Sequence, residues 1–230
     1  MPSNDSETGA MPIDVEQLRV SYSVYYGVAR PDRDHGRPPA LIFAAHGYGQ
    51  SCKSFLRTLE PLRKYNFLII APQGPNQFYW QDSGKVGFCW MTRYGRENTI
   101  VDLMAYMRAL KDDVHARYEF DHDRVFILGF SQGTALAFRF ASEGILEPRG
   151  VIACGADLPP DVADRLGEIV PYPVYVVHGK NDSTMNFAKG QEGADTLRAA
   201  GFDVETLYFD GEHDLPAPVL ESITDWIHRH

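Results

Sequence analysis

Gly129-Phe130-Ser131-Gln132-Gly133 sets one hydroxyl between two glycines at the end of an apolar run. A serine hydroxyl is a weak nucleophile at neutral pH and needs a neighbouring base to take its proton. The G-x-S-x-G spacing suits a nucleophile standing proud of a sharp strand-to-helix turn, because side chains two residues before and after it would collide with neighbouring elements and glycine removes them. The helix that follows brings its amino end, with partial positive charge, toward the same point. The chemistry indicated is acyl transfer, with Ser131 as the attacking group.

Such a serine is served by an acid and a histidine that follow it in that order along the chain. "VVHGKNDST" sets Asp182 after one apolar run, and "FDGEHDLP" sets His213 after the next. His213 is the expected base and Asp182 its orienting acid. Asp157 falls in "ADLPPD", which reads as a turn, and Asp210 and Asp214 stand too close to His213 along the chain to orient it. His178 ends an apolar run and is expected to support the site rather than react. His35, His115, His122, His228 and His230 read as surface residues.

A tetrahedral intermediate also needs N–H donors aimed at its oxygen. One is expected from the backbone of Gln132, directly after the serine. The second is expected from Tyr48 in His46-Gly47-Tyr48-Gly49, where glycines permit an unusual backbone course and His46 orders the loop by hydrogen bonding. Phe78, Tyr79, Trp80, Phe88 and Trp90 crowd the stretch between Pro72 and Tyr94, which reads as a long functional loop, with these aromatics as a candidate pocket or lid.

The elements that must position these residues follow from apolar patterning. "LRVSYSVYYGVARP" reads as a strand, and a helix capped by Ser51 is expected to run to about Lys64. "ALIFAAHG", "FLIIAPQG", "RVFILGF", "GVIACGA" and "PVYVVHG" are continuous apolar runs, typical of strands buried on both faces, and "DVETLYFDG" is a further strand. Helices are expected from Glu97 to Arg117, after Ser131, from Phe187 to Ala200 and from Pro216 to His230. Strands alternating with helices imply a mostly parallel sheet with helices on both faces, whose ligands sit at the carboxyl ends of the strands. Residues 1–16 read as a flexible tail and residues 17–230 as one α/β domain.

Composition narrows the function classes. The 230 residues carry a formal charge of -9, which disfavours nucleic acid and anionic membrane surfaces as partners. The three cysteines, Cys52, Cys89 and Cys154, form neither a disulfide framework nor a zinc pattern. No apolar stretch approaches the roughly 20 residues of a membrane span, and no signal peptide is read at the amino end. A cytoplasmic enzyme without metal or cofactor is the expectation.

"HGYGQS", "APQGP", "GFSQGTALAF", "HGKND" and "GEHDLP" together resemble the phospholipase/carboxylesterase group of the α/β-hydrolase superfamily, which includes acyl-protein thioesterases, from about Ala40 onward. The resemblance implies an α/β-hydrolase fold acting on a small-molecule ester or thioester, with Ser131, Asp182 and His213 as triad and Tyr48 and Gln132 as oxyanion donors. Departures bear on substrate: Tyr48 stands where the group often has leucine, Ser183-Thr184-Met185 follows the aspartate in place of a valine-proline pair, and "WQDSGKVGFCWMTRYGREN" is unlike the thioesterases. A serine peptidase, with Arg93 or Arg96 holding a peptide terminus, or a polymer-ester depolymerase is the alternative on the same fold. A non-catalytic binding module is a further alternative, which the intact triad motifs argue against.

Overall fold

The computed structural model describes residues 14–81 and 83–230. Of the expected tail, residues 1–13 lie outside the described residues, and 14–16 are exposed without regular structure. The chain forms β1 (Tyr26–Ala29), β2 (Ala40–Ala45), α1 (Cys52–Thr58), β3 (Phe67–Pro72), β4 (Asn76–Tyr79), β5 (Val86–Cys89), α2 (Arg96–Arg117) and β6 (Asp121–Phe130). It continues through α3 (Gln132–Ser142), β7 (Gly150–Cys154), α4 (Pro160–Ala163), β8 (Val174–Gly179), α5 (Phe187–Ala199), β9 (Val204–Phe209) and α6 (Ala217–Arg229).

Seven strands make one sheet in the order β1-β3-β2-β6-β7-β8-β9, antiparallel only where β1 meets β3. The apolar runs are its centre, and β2, β3, β7 and β8 are buried at every position. Alternation along β2 sends Leu41, Phe43 and Ala45 into a core shared with α2, α3 and α5, and Ala40, Ile42 and Ala44 into a core shared with α1 and α6. Helices therefore cover both faces, as the pattern of runs requires.

Three expectations are corrected. The strand read over "LRVSYSVYYGVARP" is reduced to Tyr26–Ala29. Upstream of it Leu18, Val20, Tyr22 and Val24 alternate but stay exposed, and among the described residues no strand pairs with them. The helix capped by Ser51 does begin there, with a capping box to Ser54, but it ends at Thr58 and a 3-10 turn takes over from Glu60 to Lys64. Pro61 explains the break, since it has no N–H for an α-helical bond. The expected long loop after Pro72 contains a hairpin, in which Asn76–Tyr79 pairs antiparallel with Val86–Cys89.

Candidate active site

Ser131 links β6 to α3 with φ 54° and ψ -123°. Among the described residues it is the one non-glycine with positive φ, a conformation costing on the order of 1–3 kcal/mol that surrounding structure must hold in place. Gly129 and Gly133 permit it: a Cβ on Gly129 would overlap the Thr134 backbone, and one on Gly133 would overlap the Ala45 and His46 carbonyls. The Ser131 N–H donates to Cys154 O at 2.9 Å, and the Thr134 hydroxyl lies 2.9 Å from both Gly129 O and Cys154 O. The elbow is thus pinned to β7.

Asp182 and His213 come from the turns after β8 and β9, which are adjacent in the sheet. His213 Nδ1 lies 2.6 Å from Asp182 Oδ2 and donates to it. The Asp182 side chain is fully buried, while that of His213 keeps 16% exposure. The other carboxylate oxygen accepts from the N–H groups of Thr184 at 2.9 Å and Met185 at 2.7 Å. Burial opposes ionisation of Asp182, but these donors and His213 outweigh it and hold the carboxyl below its ordinary range. His178 Nε2 approaches Asp182 Oδ2 at 3.2 Å and Met185 O at 3.2 Å, so it braces the acid loop as expected. The Phe130 ring, one residue before Ser131, lies 4.8 Å from the His213 ring, and an added Cβ on Gly155 would stand 3.2 Å from His213 Nδ1. The imidazole is therefore seated against the elbow.

The opposite side is built by His46, fully buried at the end of β2. Its Nδ1–H donates to Gly47 O at 2.8 Å, and its Nε2 accepts from the Gly74 N–H at 3.0 Å and meets the Gln73 amide nitrogen at 3.2 Å. Burial pushes its pKa down to about 4, so the ring is neutral and serves as a scaffold. In the loop it orders, Gly47 N–H donates to Gln50 Oε1, Gly49 N–H to Phe88 O and Gln50 N–H to Gly47 O. The Tyr48 N–H has no acceptor among the described residues. The Gln132 N–H opens α3 and so lacks an intrahelical partner. An added Cβ on Gly47 would stand 3.2 Å from Ser131 Cβ, so the loop passes directly beside the serine.

Several supporting residues escaped the sequence reading. The Gln132 side chain accepts from Trp90 N–H at 2.8 Å and donates to Met91 O at 2.9 Å, tying the hairpin's end to the elbow. Trp90 is fully buried and its indole donates to His46 O at 2.7 Å, so it backs the loop from beneath; the expectation that it lines a pocket is corrected. Arg139 is almost fully buried and grips Asp161 with two hydrogen bonds of 2.7 and 2.5 Å; Arg96 reaches the same carboxylate at 3.8 Å, whereas Arg93 is exposed. The audible signal was the polar residues inside apolar motifs: Gln73 in "APQGP" and Gln132 in "GFSQG". Of the remaining aromatics, Phe78 and Trp80 pack with Tyr48, Tyr79 points outward, and Phe88 borders a groove of about 650 Å³ beside residues 21–25 that contains none of Ser131, Asp182 and His213.

All three cysteines are free, and burial raises the thiol pKa of each. No helix among the described residues is long and apolar enough to cross a membrane. The model of the phospholipase/carboxylesterase family matches residues 28–230. The fold is similar to that of Zea mays acyl-protein thioesterase 2, at 20% identity and TM-score 0.66 over 89% of this chain and 98% of that one. It is also similar to the Bacillus cereus carboxylesterase, at 17% identity and TM-score 0.68 over 90% and 94% of the two chains. A phospholipase/carboxylesterase from Dyadobacter fermentans matches at 15% identity and TM-score 0.65 over 92% and 100%. Identities this low establish the shared fold.

Proposed function

Since the chain belongs to the phospholipase/carboxylesterase family and has its α/β-hydrolase fold, we propose that it hydrolyses carboxylic esters or thioesters with Ser131, Asp182 and His213 as its triad. His213 Nε2 takes the Ser131 proton as Oγ attacks the acyl carbon. The electron pair of the C=O bond moves to oxygen, which the Tyr48 and Gln132 N–H groups receive. Collapse expels the alcohol or thiol, which leaves with the proton from His213, and water repeats the sequence on the acyl-serine to release the acid. Asp182 stays ionised throughout and holds His213 in the tautomer with Nδ1 protonated. Three free cysteines fit a reducing compartment, and a cytoplasmic location goes with this reading.

The observation that carries the proposal is the 2.6 Å His213–Asp182 hydrogen bond, made across 31 residues beside the strained serine. The Ser131→Ala variant tests it: turnover of p-nitrophenyl acetate is expected to fall to background while the circular dichroism spectrum stays unchanged. Undiminished turnover sinks the assignment.

A further inference from the structure

We propose that Tyr48, Phe78 and Trp80 form a stacking shelf for a planar aromatic group of the substrate, an inference that rests on the acyl-transfer reading because the shelf adjoins the loop carrying the Tyr48 N–H. The Tyr48 and Phe78 rings stack with centroids 4.9 Å apart and planes 23° apart. Trp80 meets Phe78 edge-on at 5.3 Å and Tyr48 at 6.2 Å. Phe78 lies in β4 and Trp80 directly follows its last residue, continuing the ladder through Trp80 N–H to Lys85 O, so the two-residue spacing puts both rings on one side and Tyr79 on the other.

The rings are both exposed and seated. Tyr48 keeps 53% exposure and Trp80 45%. An aromatic left in water by a soluble protein is ordinary when it stands singly; three in mutual contact make a surface that marks a binding site. Two glycines make room for them. Gly49 adopts φ +78°, and Trp80 Cζ2 occupies the space its Cβ would need. A Cβ on Gly87 would stand 2.8 Å from both Phe78 Cζ and Trp80 Nε1. Backbone bonds lock the same parts together, from Gly49 N–H to Phe88 O at 2.7 Å and from Trp80 N–H to Lys85 O at 2.8 Å. Tyr48 is one residue beyond Gly47, whose added Cβ would stand 3.2 Å from Ser131 Cβ, so the shelf is rooted in the loop that passes beside the serine.

Ring faces and edges at these angles complement another flat ring. Stacking adds about two- to tenfold per aromatic pair over what contact area alone supplies. A puckered cyclohexyl group of equal size keeps the area and loses the stacking, which separates the two effects. The test compares kcat/KM for methyl 3-phenylpropanoate with methyl 3-cyclohexylpropanoate, and for 2-phenylethyl acetate with 2-cyclohexylethyl acetate. One pair carries the ring on the acyl side, the other on the alcohol side. The aromatic member of at least one pair is expected to win by about two- to tenfold, and Trp80→Leu is expected to bring that ratio to about one. Equal values within both pairs, or a preference untouched by Trp80→Leu, overturn the shelf.

A second measurement needs neither turnover nor a folded Trp80→Leu protein. Trp90 and Trp226 are fully buried, so Trp80 is the exposed tryptophan reporter. Titrating the Ser131→Ala protein with methyl 3-phenylpropanoate and 2-phenylethyl acetate is expected to give, for the preferred ester, a saturable change in tryptophan emission that its cyclohexyl analogue does not match. An emission spectrum indifferent to both aromatic esters overturns the shelf. If Ser131→Ala keeps its activity, the triad reading fails, while the emission titration still decides the shelf.

Discussion

His46 and His213 stand on either side of the elbow, on the loops that leave β2 and β9, and they differ in almost every respect but residue type. His46 is sealed in, and its partners are a carbonyl and two amide groups. None of these stabilises an imidazolium enough to offset burial, so the ring is held neutral, with a pKa near 4. His213 is partly exposed and donates to a buried carboxylate at 2.6 Å. The same side chain is thus a rigid strut in one region and, in the proposed mechanism, a proton carrier in the other. The difference lies in what surrounds each ring: dipoles alone fix a geometry, whereas an ion of opposite sign makes room for a travelling proton.

The comparison breaks most visibly at Asp182. Replacing it with Asn keeps the shape of the loop but supplies a neutral partner, and kcat is expected to fall by about 10⁴-fold in steady-state assays with p-nitrophenyl acetate. A loss below tenfold contradicts the role given to the carboxylate. On the other side, His46 governs stability through pH. Its folded value lies below the ordinary imidazole value of about 6.5, so an unfolded chain takes up a proton that the folded one refuses. Stability contributed at neutral pH is therefore lost as pH falls from about 6.5 to about 4, by about 3 kcal/mol in all. Asp182 adds in the same direction further down, because a depressed carboxyl loses its stabilisation as pH falls through its folded value. Chemical denaturation at pH 7 and pH 4.5 reads the drop, and His46→Gln is expected to flatten it; an equally steep drop in the variant tells against the neutral strut.

The finest distinction concerns His178, which shares the acid with His213 yet has no exposure of its own. His178→Leu is expected to lower kcat by about tenfold with little change in KM, through a loosened Asp182 loop. Gln at the same position, which retains a donor near Nε2, is expected to recover most of the loss. Equal loss in Leu and Gln would mean that packing alone is at stake.

The central architecture was readable from residues because β2, β3, β7 and β8 at every position, and β6 from Val125 onward, are buried on both faces and must be apolar there. The elbow was readable because Gly129 and Gly133 are demanded by backbone contacts that no other residue fits. Asp182 and His213 followed from chain order and their positions after successive strands. The hairpin was hidden because Asn76–Tyr79 and Val86–Cys89 are four residues each, half exposed, and separated by a polar turn. Leu18 to Val24 misled in the other direction: alternation describes a strand's faces but supplies no neighbour to pair with. Trp80 and Trp90 looked alike in the sequence, ten residues apart in one aromatic stretch. Only the fold separates them, one to the surface beside Tyr48 and the other beneath His46.

Mass spectrometry of the protein after reaction with a fluorophosphonate bears most directly on the convergence of serine, histidine and aspartate. A single adduct is expected, on the peptide containing Ser131, formed far more slowly in His213→Ala and absent in Ser131→Ala. An adduct on another residue, or full labelling at Ser131 with His213 removed, would contradict the account.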